Sequence, residues 1–310
     1  SVIVFALRDL RDSDVIVIQN PPLFSGMLSF SLKFLTKAKI VNWCSDVWPD
    51  LHVELGTLDK NSIVTKVMRV MQRISLHYSD AVAVTTKNSI YQVQTLYRAK
   101  KCFLWPNGVD TSYFYPHTAD ARLREGWRVN STDFVVGYAG LHGNFQNLHV
   151  VLDAAKLLVN SRLKLVLIGS GAQKSELMAR VKDEKLNNVI MIDALPREDI
   201  PNVLQSFDIL LVPLARPMPT TIPSKFYECL SSGKPVLAVA DSEISCMVDE
   251  YDLGSVYECG SATSLAEELV KLSHASDDVL AMMGKNARHL AFDYDRKKIV
   301  DRIHVDLNDL

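Results

Sequence analysis

The sequence predicts an α/β protein built from two doubly wound domains, and three observations carry that prediction. Short apolar, β-rich runs alternate with helical patterns along the 310 residues. The runs are continuously apolar and bounded by Gly, Pro and Asp, as strands buried on both faces are. The helical stretches between them have the length of βαβ crossovers, which make parallel sheets. Candidate strands of the first domain are 14–20 (DVIVIQN), 38–44 (AKIVNWC), 80–86 (DAVAVTT) and 101–106 (KCFLWP). Those of the second are 133–140, 163–169, 188–193, 208–214, 234–240 and 253–258. Between the two sets, "WPNGVDTSYFYPHTAD" (105–120) is punctuated by Pro, Gly and Asn and reads as a connector. The expected organisation is a first domain at 1–115, a second at 116–290 and a terminal segment at 291–310. No internal repeat or low-complexity tract is evident. Ahead of residue 14 stands only part of a helix, where a doubly wound domain begins with a strand and a glycine-rich turn, so upstream residues are expected to be missing.

Composition bounds the partners. A chain that is 48% hydrophobic and 23% charged, with net charge −2, is an ordinary globular protein of about two domains. Near-neutral charge gives no electrostatic attraction for nucleic acid. Cys44, Cys102, Cys229, Cys246 and Cys259 are odd in number and form no C-x-x-C. That speaks against a disulfide framework or structural zinc and fits a reducing, cytoplasmic setting. No run of about 18 apolar residues occurs, so no spanning helix is encoded. The opening "SVIVFALRDLRDSD" has no basic segment ahead of its apolar part, so it reads as a helix entered midway rather than a signal peptide. Its "DSD" (12–14) imitates a metal-binding D-x-D but precedes its strand, at the end away from ligands, and no metal is expected.

Chemistry concentrates in the second domain. In "IPSKFYECLSSGKPVLAVA" (222–240) a proline opens a short helix and a glycine closes it. Lys225 and Glu228 share a face, a pairing worth roughly 0.2–0.5 kcal/mol. Their order opposes the helix dipole, with the lysine near its positive end, unless an anion binds there. Two other strand-to-helix turns carry the same signature. "GYAGLHGNFQNL" places Gly137, Gly140 and Gly143 before an amphipathic helix, and "LIGSGAQKSEL" places Gly169 and Gly171. Such turns suit close approach of backbone to phosphate or sugar, although turn geometry alone also explains them. All three lie at carboxyl ends of strands, where ligands of these folds gather.

One first-domain segment bears on surfaces. "SIVTKVMRVMQRISLHY" (62–78) puts Ile63, Val67, Val70, Met71 and Ile74 on one face and Lys66, Arg69 and Arg73 on another. A basic amphipathic helix suits a membrane surface. Packing against its own sheet with a wet basic face is the competing reading.

Taken in order, "WPNGVDTSYFYP", "GYAGLHGNFQNL", "LVLIGSGAQKSEL", "NVIMIDALPREDIPNVLQSFDILLVPL" and "IPSKFYECLSSGKPVLAVADSE" resemble the retaining GT-B glycosyltransferases of family 4. Within that family they are most similar to the branch that builds bacterial surface polysaccharides, including fucosamine-type transferases. "SDVWPDLHVELG" (45–56) is similar to the D-x-W-P segment of the same branch, and the similarity covers essentially the whole chain. The resemblance implies two Rossmann-like domains facing a cleft, an N-terminal domain lacking its start, and a C-terminal helix crossing back to the first domain.

It also implies a nucleotide diphosphate sugar as donor, a UDP-sugar favoured, with retention at the anomeric carbon and transfer to a lipid-linked or saccharide acceptor at the inner face of the plasma membrane. Carried over residue by residue, the family's ribose-binding glutamate matches Glu228. The carboxylate that contacts the donor sugar falls on Thr220, and the basic pair for the pyrophosphate falls on Leu141 and Gln146, so both are absent. Lys225, with Ser224 and the amides from Thr221 to Lys225, is the visible replacement. Gly140, Gly143 and Gly171 complete the donor set. Base recognition falls on backbone near "DALPRED" (193–199), including Leu195. Asp46, just after a first-domain strand, is the candidate for orienting or deprotonating the acceptor, with an N-capping aspartate as the alternative. His142 is a second catalytic candidate on the donor side, whereas His77, His274 and His304 are scattered singly. A non-catalytic nucleotide-sugar-binding subunit or a GT-B epimerase remains the other class.

Overall fold

The computed structural model describes residue 10 and residues 12–310; the helix expected at the start lies outside the described residues. The chain divides into two compact units. One runs to Asn107 and includes Thr220–Ile222 and Lys297–Leu310; the other comprises Gly108–Pro219 and Pro223–Arg296. Residues 108–115 thus group with the second unit.

The first unit is a parallel sheet of β1 (Val15–Asn20), β2 (Lys39–Cys44), β3 (Ala81–Val84) and β4 (Cys102–Leu104), in that spatial order. Its crossovers hold α1 (Leu23–Gly26), α2 (Leu28–Leu35), α3 (Asp50–Glu54), α4 (Ile63–His77) and α5 (Lys87–Tyr97). Helix starts follow local chemistry. Ser62 Oγ accepts from the Thr65 amide at α4, and Thr86 Oγ1 accepts from the Ser89 amide at α5.

Helix α4 is turned in an unexpected direction. Its buried residues are Thr65, Gln72, Ser75 and Leu76, while Ile63 (80% exposed), Val67 (53%) and Val70 (55%) face solvent. Of the stripe that one reading from sequence packs against the sheet, Met71 and Ile74 are half-buried while Ile63, Val67 and Val70 stay outside. The cause is a buried polar layer beneath the helix. Asn20 Nδ2 donates to Gln72 Oε1 at 2.9 Å, and Asn42 Nδ2 donates to Ser75 Oγ at 2.7 Å and Ser29 Oγ at 3.1 Å. Gln72 Nε2 reaches Cys44 Sγ at 3.5 Å, and burial pushes that thiol up to about 12, so it stays protonated. Strand β1 ends in Asn20 and β2 carries Asn42 two residues before its end; their amide nitrogens require partners once buried, and the helix supplies them by turning its polar face inward.

The second unit carries β5 (Phe134–Ala139), β6 (Leu163–Ile168), β7 (Val189–Ile192), β8 (Ile209–Val212), β9 (Val236–Val239) and β10 (Gly254–Tyr257). All pair in parallel, in the order β10-β9-β8-β5-β6-β7. Strands β5, β8 and β9 are buried throughout, as their unbroken apolar runs require. Helices are α6 (Ala121–Gly126), α7 (Leu148–Leu157), α8 (Lys174–Asp183), α9 (Ile200–Gln205), α10 (Ser224–Ser231), α11 (Glu243–Glu250), α12 (Ala262–Ser273) and α13 (Asp277–Ala291). Helix α12 buries Leu265, Leu269 and Leu272 against α7 and β10, the ordinary orientation. The sheet order reverses between β5 and β8, and that switch point opens a crevice at the strands' carboxyl ends.

The last helix, α14 (Arg296–Asn308), lies almost wholly in the first unit. Ile303, Leu307 and Leu310 pack on the cluster of Val41, Ala81, Phe103 and Trp105. Trp105 Nε1 donates to Asp306 Oδ2 at 2.8 Å, and Lys101 Nζ to the Asp309 carbonyl at 2.6 Å.

Candidate functional site

At the switch point of the second sheet, three turns are laced together by backbone. The Gly140 amide donates to the Ile168 carbonyl at 2.9 Å, the His142 amide to Ser170 O at 2.8 Å, and the Gly169 amide to Ile192 O at 3.1 Å. Such proximity needs glycine. Gly169 (φ +149°) would place a Cβ 1.8 Å from Gly140 O, and Gly171 (φ +151°) one 2.5 Å from His142 O. Gly137 has another role than the phosphate approach its spacing suggests, because a Cβ there would stand 1.9 Å from the Phe207 ring. It lets β5 pack on that side chain.

These turns and the start of α10 enclose a cavity of about 360 Å³. Four residues expected at the donor site line it: Gly140, Leu195, Lys225 and Glu228. Gly143, Gly171, Thr221 and Ser224 do not line it. Gly143 instead donates its amide to Gln146 Oε1 at 3.2 Å, which fastens the turn, and Leu141 is on the cavity wall with 59% exposure. Thr221 belongs to the short segment grouped with the first unit.

Helix α10 starts after Pro223, and no side chain caps its first amides. Lys225 Nζ stands 3.0 Å from Glu228 Oε2, one turn on. The glutamate is mostly buried and the lysine is partly exposed, so the pair is weak by itself and the lysine can turn toward an anion. A second cation, Arg197, also lines the cavity, with its guanidinium 5.8 Å from the Tyr113 ring centre; the Tyr113 hydroxyl donates to Arg197 O at 2.9 Å. Phe114, Ile168 and Ile200 add apolar wall. The cavity therefore offers two cations, one carboxylate and apolar surface to a ligand that is anionic at one end and flat at the other. Sequence reasoning missed Arg197 and Phe114. The arginine stood in the stretch assigned to base recognition, but only backbone was invoked there.

His142 is wholly buried behind the first turn, outside the cavity lining, and neither ring nitrogen has a hydrogen-bond partner. Burial, reinforced by the charge of Lys174, pushes its pKa down to about 4, so the ring is neutral near pH 7. Lys174 itself donates to the Ile192 carbonyl and lies 3.7 Å from Asp193.

In the first unit, Asp46 is half-buried after β2, and burial raises its pKa. The N-cap reading of Asp46 does not hold, because α3 starts at Asp50 with Pro49 at the cap position. Asp50 is gripped by Arg69, whose Nη2 lies 2.6 Å from Oδ1, and by the Tyr97 hydroxyl. Thr220 stands beside a carboxylate that sequence reasoning missed. Its Oγ1 donates to Glu54 Oε2 at 2.9 Å, Gln92 Nε2 donates to Glu54 Oε1 at 3.2 Å, and Ser89 Oγ holds the Thr220 carbonyl at 3.0 Å. Burial raises the Glu54 pKa, and the Thr220 hydrogen bond opposes that rise. Among the described residues, no three His, Cys, Asp or Glu side chains stand together as a metal cluster.

Comparison with known proteins places this geometry. The family model of glycosyl transferases group 1 matches residues 120–290, more than half of the chain. The chain is 24% identical over 257 residues to the probable glycosyltransferase WbjE of Pseudomonas aeruginosa, covering 79% of this chain and 62% of that protein. It is 25% identical over 229 residues to the putative colanic acid biosynthesis glycosyl transferase WcaI of Escherichia coli K12, covering 72% and 56%. The match thus spans less than two-thirds of the length of these relatives. Among solved structures, Anabaena HepE in complex with UDP superposes with a TM-score of 0.83 at 19% identity, covering 99% of this chain and 82% of that one. Sucrose-phosphate synthase from Thermosynechococcus elongatus superposes with a TM-score of 0.77 at 18% identity, covering 97% and 75%. The chain belongs to the group 1 glycosyl transferase family and has the two-domain α/β architecture of the GT-B fold.

Proposed function

We propose that the protein is a retaining, family 4-type glycosyltransferase of surface polysaccharide synthesis, similar to the fucosamine-transferase branch. It moves a hexosyl or aminosugar unit from a nucleotide diphosphate sugar, UDP-linked by preference, to a lipid-linked or saccharide acceptor. The observation that carries this reading is the cavity at the second sheet's switch point, where Lys225 and Arg197 meet Glu228 at the start of α10. Relatives point the same way: WcaI is described by colanic acid biosynthesis, and the HepE structures hold UDP or UDP-glucose.

In this reading the donor pyrophosphate draws Lys225 away from Glu228 and takes its charge, with the uncapped α10 amides as further donors. Glu228, released from the lysine, accepts from ribose hydroxyls, and Arg197 and Leu195 border the base. Gly140, Gly143 and Gly171 keep the turns close enough for backbone to reach the ligand. Stabilising charge on the departing diphosphate is what the transfer most needs from the protein. His142, neutral and buried, keeps the first turn in shape beside the donor. Asp46 orients the acceptor hydroxyl or takes its proton. Glu54, held by Thr220, supplies a carboxylate next to the position where the family pattern carries one and this chain has Thr220. The acceptor is met at the cytoplasmic face of the plasma membrane through peripheral contact.

Calorimetric titration with UDP, GDP and dTDP tests the donor half, and UDP is expected to bind tightest. Release of nucleoside diphosphate from a UDP-sugar only when a saccharide acceptor is added tests transfer. Binding without acceptor-dependent release contradicts it.

A further inference from the structure

Two walls of the second-unit cavity come from segments that are joined behind it. Phe114 lines the cavity from the stretch 111–115, and Lys225 and Glu228 line it from α10, which ends at Ser231. Arg288, in the last turn of α13, bridges the two segments. Its Nη1 donates to Phe114 O at 2.8 Å, Ser231 O at 2.8 Å and Ser231 Oγ at 2.9 Å, and its Nη2 donates to Thr111 O at 3.0 Å. Gln205, 5% exposed at the end of α9, bridges the same seam: its Nε2 donates to Tyr115 O at 3.3 Å and to Ser232 O at 2.8 Å. Neither side chain lines the cavity.

The backbone around the seam is shaped to admit the arginine. A Cβ on Gly284 of α13 would stand 2.3 Å from Gly233 O, and one on Gly233 (φ +66°) 2.7 Å from Pro116 Cγ. The guanidinium lies 4.5 Å from the Phe292 ring centre. A guanidinium presents its donors in a fixed plane, so carbonyls gathered on it are held at set distances and angles. Its charge also lies at the negative, C-terminal end of α10. The body of α10 is held independently, through the buried side chains of Phe226, Tyr227 and Leu230. Loss of the bridge therefore frees Phe114 before it displaces Lys225.

We propose that Arg288 is a positioning residue for the donor. With Gln205 it clamps the 111–115 stretch to the end of α10 and sets the gap that receives the nucleoside, while the pyrophosphate site at the start of α10 stands without it. The inference rests on the donor reading of this cavity.

The test is calorimetric titration of the full chain with UDP and, separately, with inorganic pyrophosphate. Arg288→Met is expected to weaken UDP binding about tenfold, because misplacement by a fraction of an ångström costs that much, and to leave pyrophosphate affinity within about twofold. Gln205→Leu, the milder change on the same seam, is expected to show the same split. Arg124→Met is the control, since Arg124 is likewise bonded to Ser206 O and Asp208 Oδ1, each at 2.8 Å, and does not line the cavity. It should lower the melting temperature and leave UDP affinity unchanged. Equal losses for UDP and pyrophosphate in the Arg288 and Gln205 variants, or UDP affinity unchanged in both, overturn the proposal. A wild type that binds neither ligand contradicts the donor reading itself, and the clamp falls with it.

Discussion

Helices α4 and α12 carry similar apolar stripes in sequence and use them in opposite directions. In α12 the stripe of Leu265, Leu269 and Leu272 is the buried face; in α4 the stripe of Ile63, Val67 and Val70 is the exposed one. Periodicity identifies an amphipathic helix in both cases, yet the inward face depends on what the neighbouring strands present. Above α12 lie apolar side chains. Under α4 lie Asn20 and Asn42, whose amides cannot be buried unpaired without a cost of about 1–3 kcal/mol each.

The largest expected contrast lies in truncating the two stripes. Leu269→Ala should cost about 2–5 kcal/mol in urea unfolding, as deletion from a filled core does, whereas Val67→Ala should stay within about 0.5 kcal/mol. Equal losses would mean that the α4 stripe is buried in solution.

Buried polar groups sharpen the contrast from the other side, because the side-chain amide nitrogens of Asn20 and Asn42 under α4 have acceptors, whereas neither ring nitrogen of His142 in the second unit has a partner. The folded pKa of His142 is about 4 and the ordinary value is 6.5, so the unfolded chain takes up the proton first as pH falls. Its contribution to stability is then fully present above 6.5 and is lost as pH drops toward 4, in total of order 3 kcal/mol. Unfolding midpoints measured across that window should fall with pH in the wild type and fall less in His142→Gln. A parallel slope in both assigns the acid loss elsewhere.

Gln72→Ala should cost about 1–3 kcal/mol, since it strips Asn20 of its partner. A neutral outcome would show that water replaces the glutamine and that the polar layer does not hold α4 in place. The smallest effect is on binding rather than stability. Lys225→Ala is expected to weaken UDP binding about tenfold, near 1.4 kcal/mol, at unchanged melting temperature.

The same contrast explains what was legible from sequence. Each of the ten strands appears within its expected run, because burial, on both faces in β3, β5, β8 and β9 and on fewer positions in β1, β7 and β10, leaves an apolar signature local to the strand. The turn glycines, Lys225 and Glu228 were legible because a helix start and a close backbone approach restrict residue types locally. The orientation of α4 was not, since it is decided by asparagines 30 or more residues away. The Thr220 to Glu54 hydrogen bond, across 166 residues, was hidden for the same reason. Arg197 and Phe114 come to the cavity through the fold's topology, from loops that carry no motif of their own. Asp46 was misread as a possible cap because α3 begins later than the sequence suggests.

In the proposed function, the cavity between the β5 turn and α10 holds a nucleoside diphosphate through Lys225 and Glu228. Calorimetric titration of UDP into wild type, Lys225→Ala and Glu228→Gln tests it most directly. The account predicts saturable one-to-one binding in wild type, weakened about tenfold in each variant with folding intact. Wild-type affinity in both variants, or no heat of UDP binding to the wild type, would contradict it.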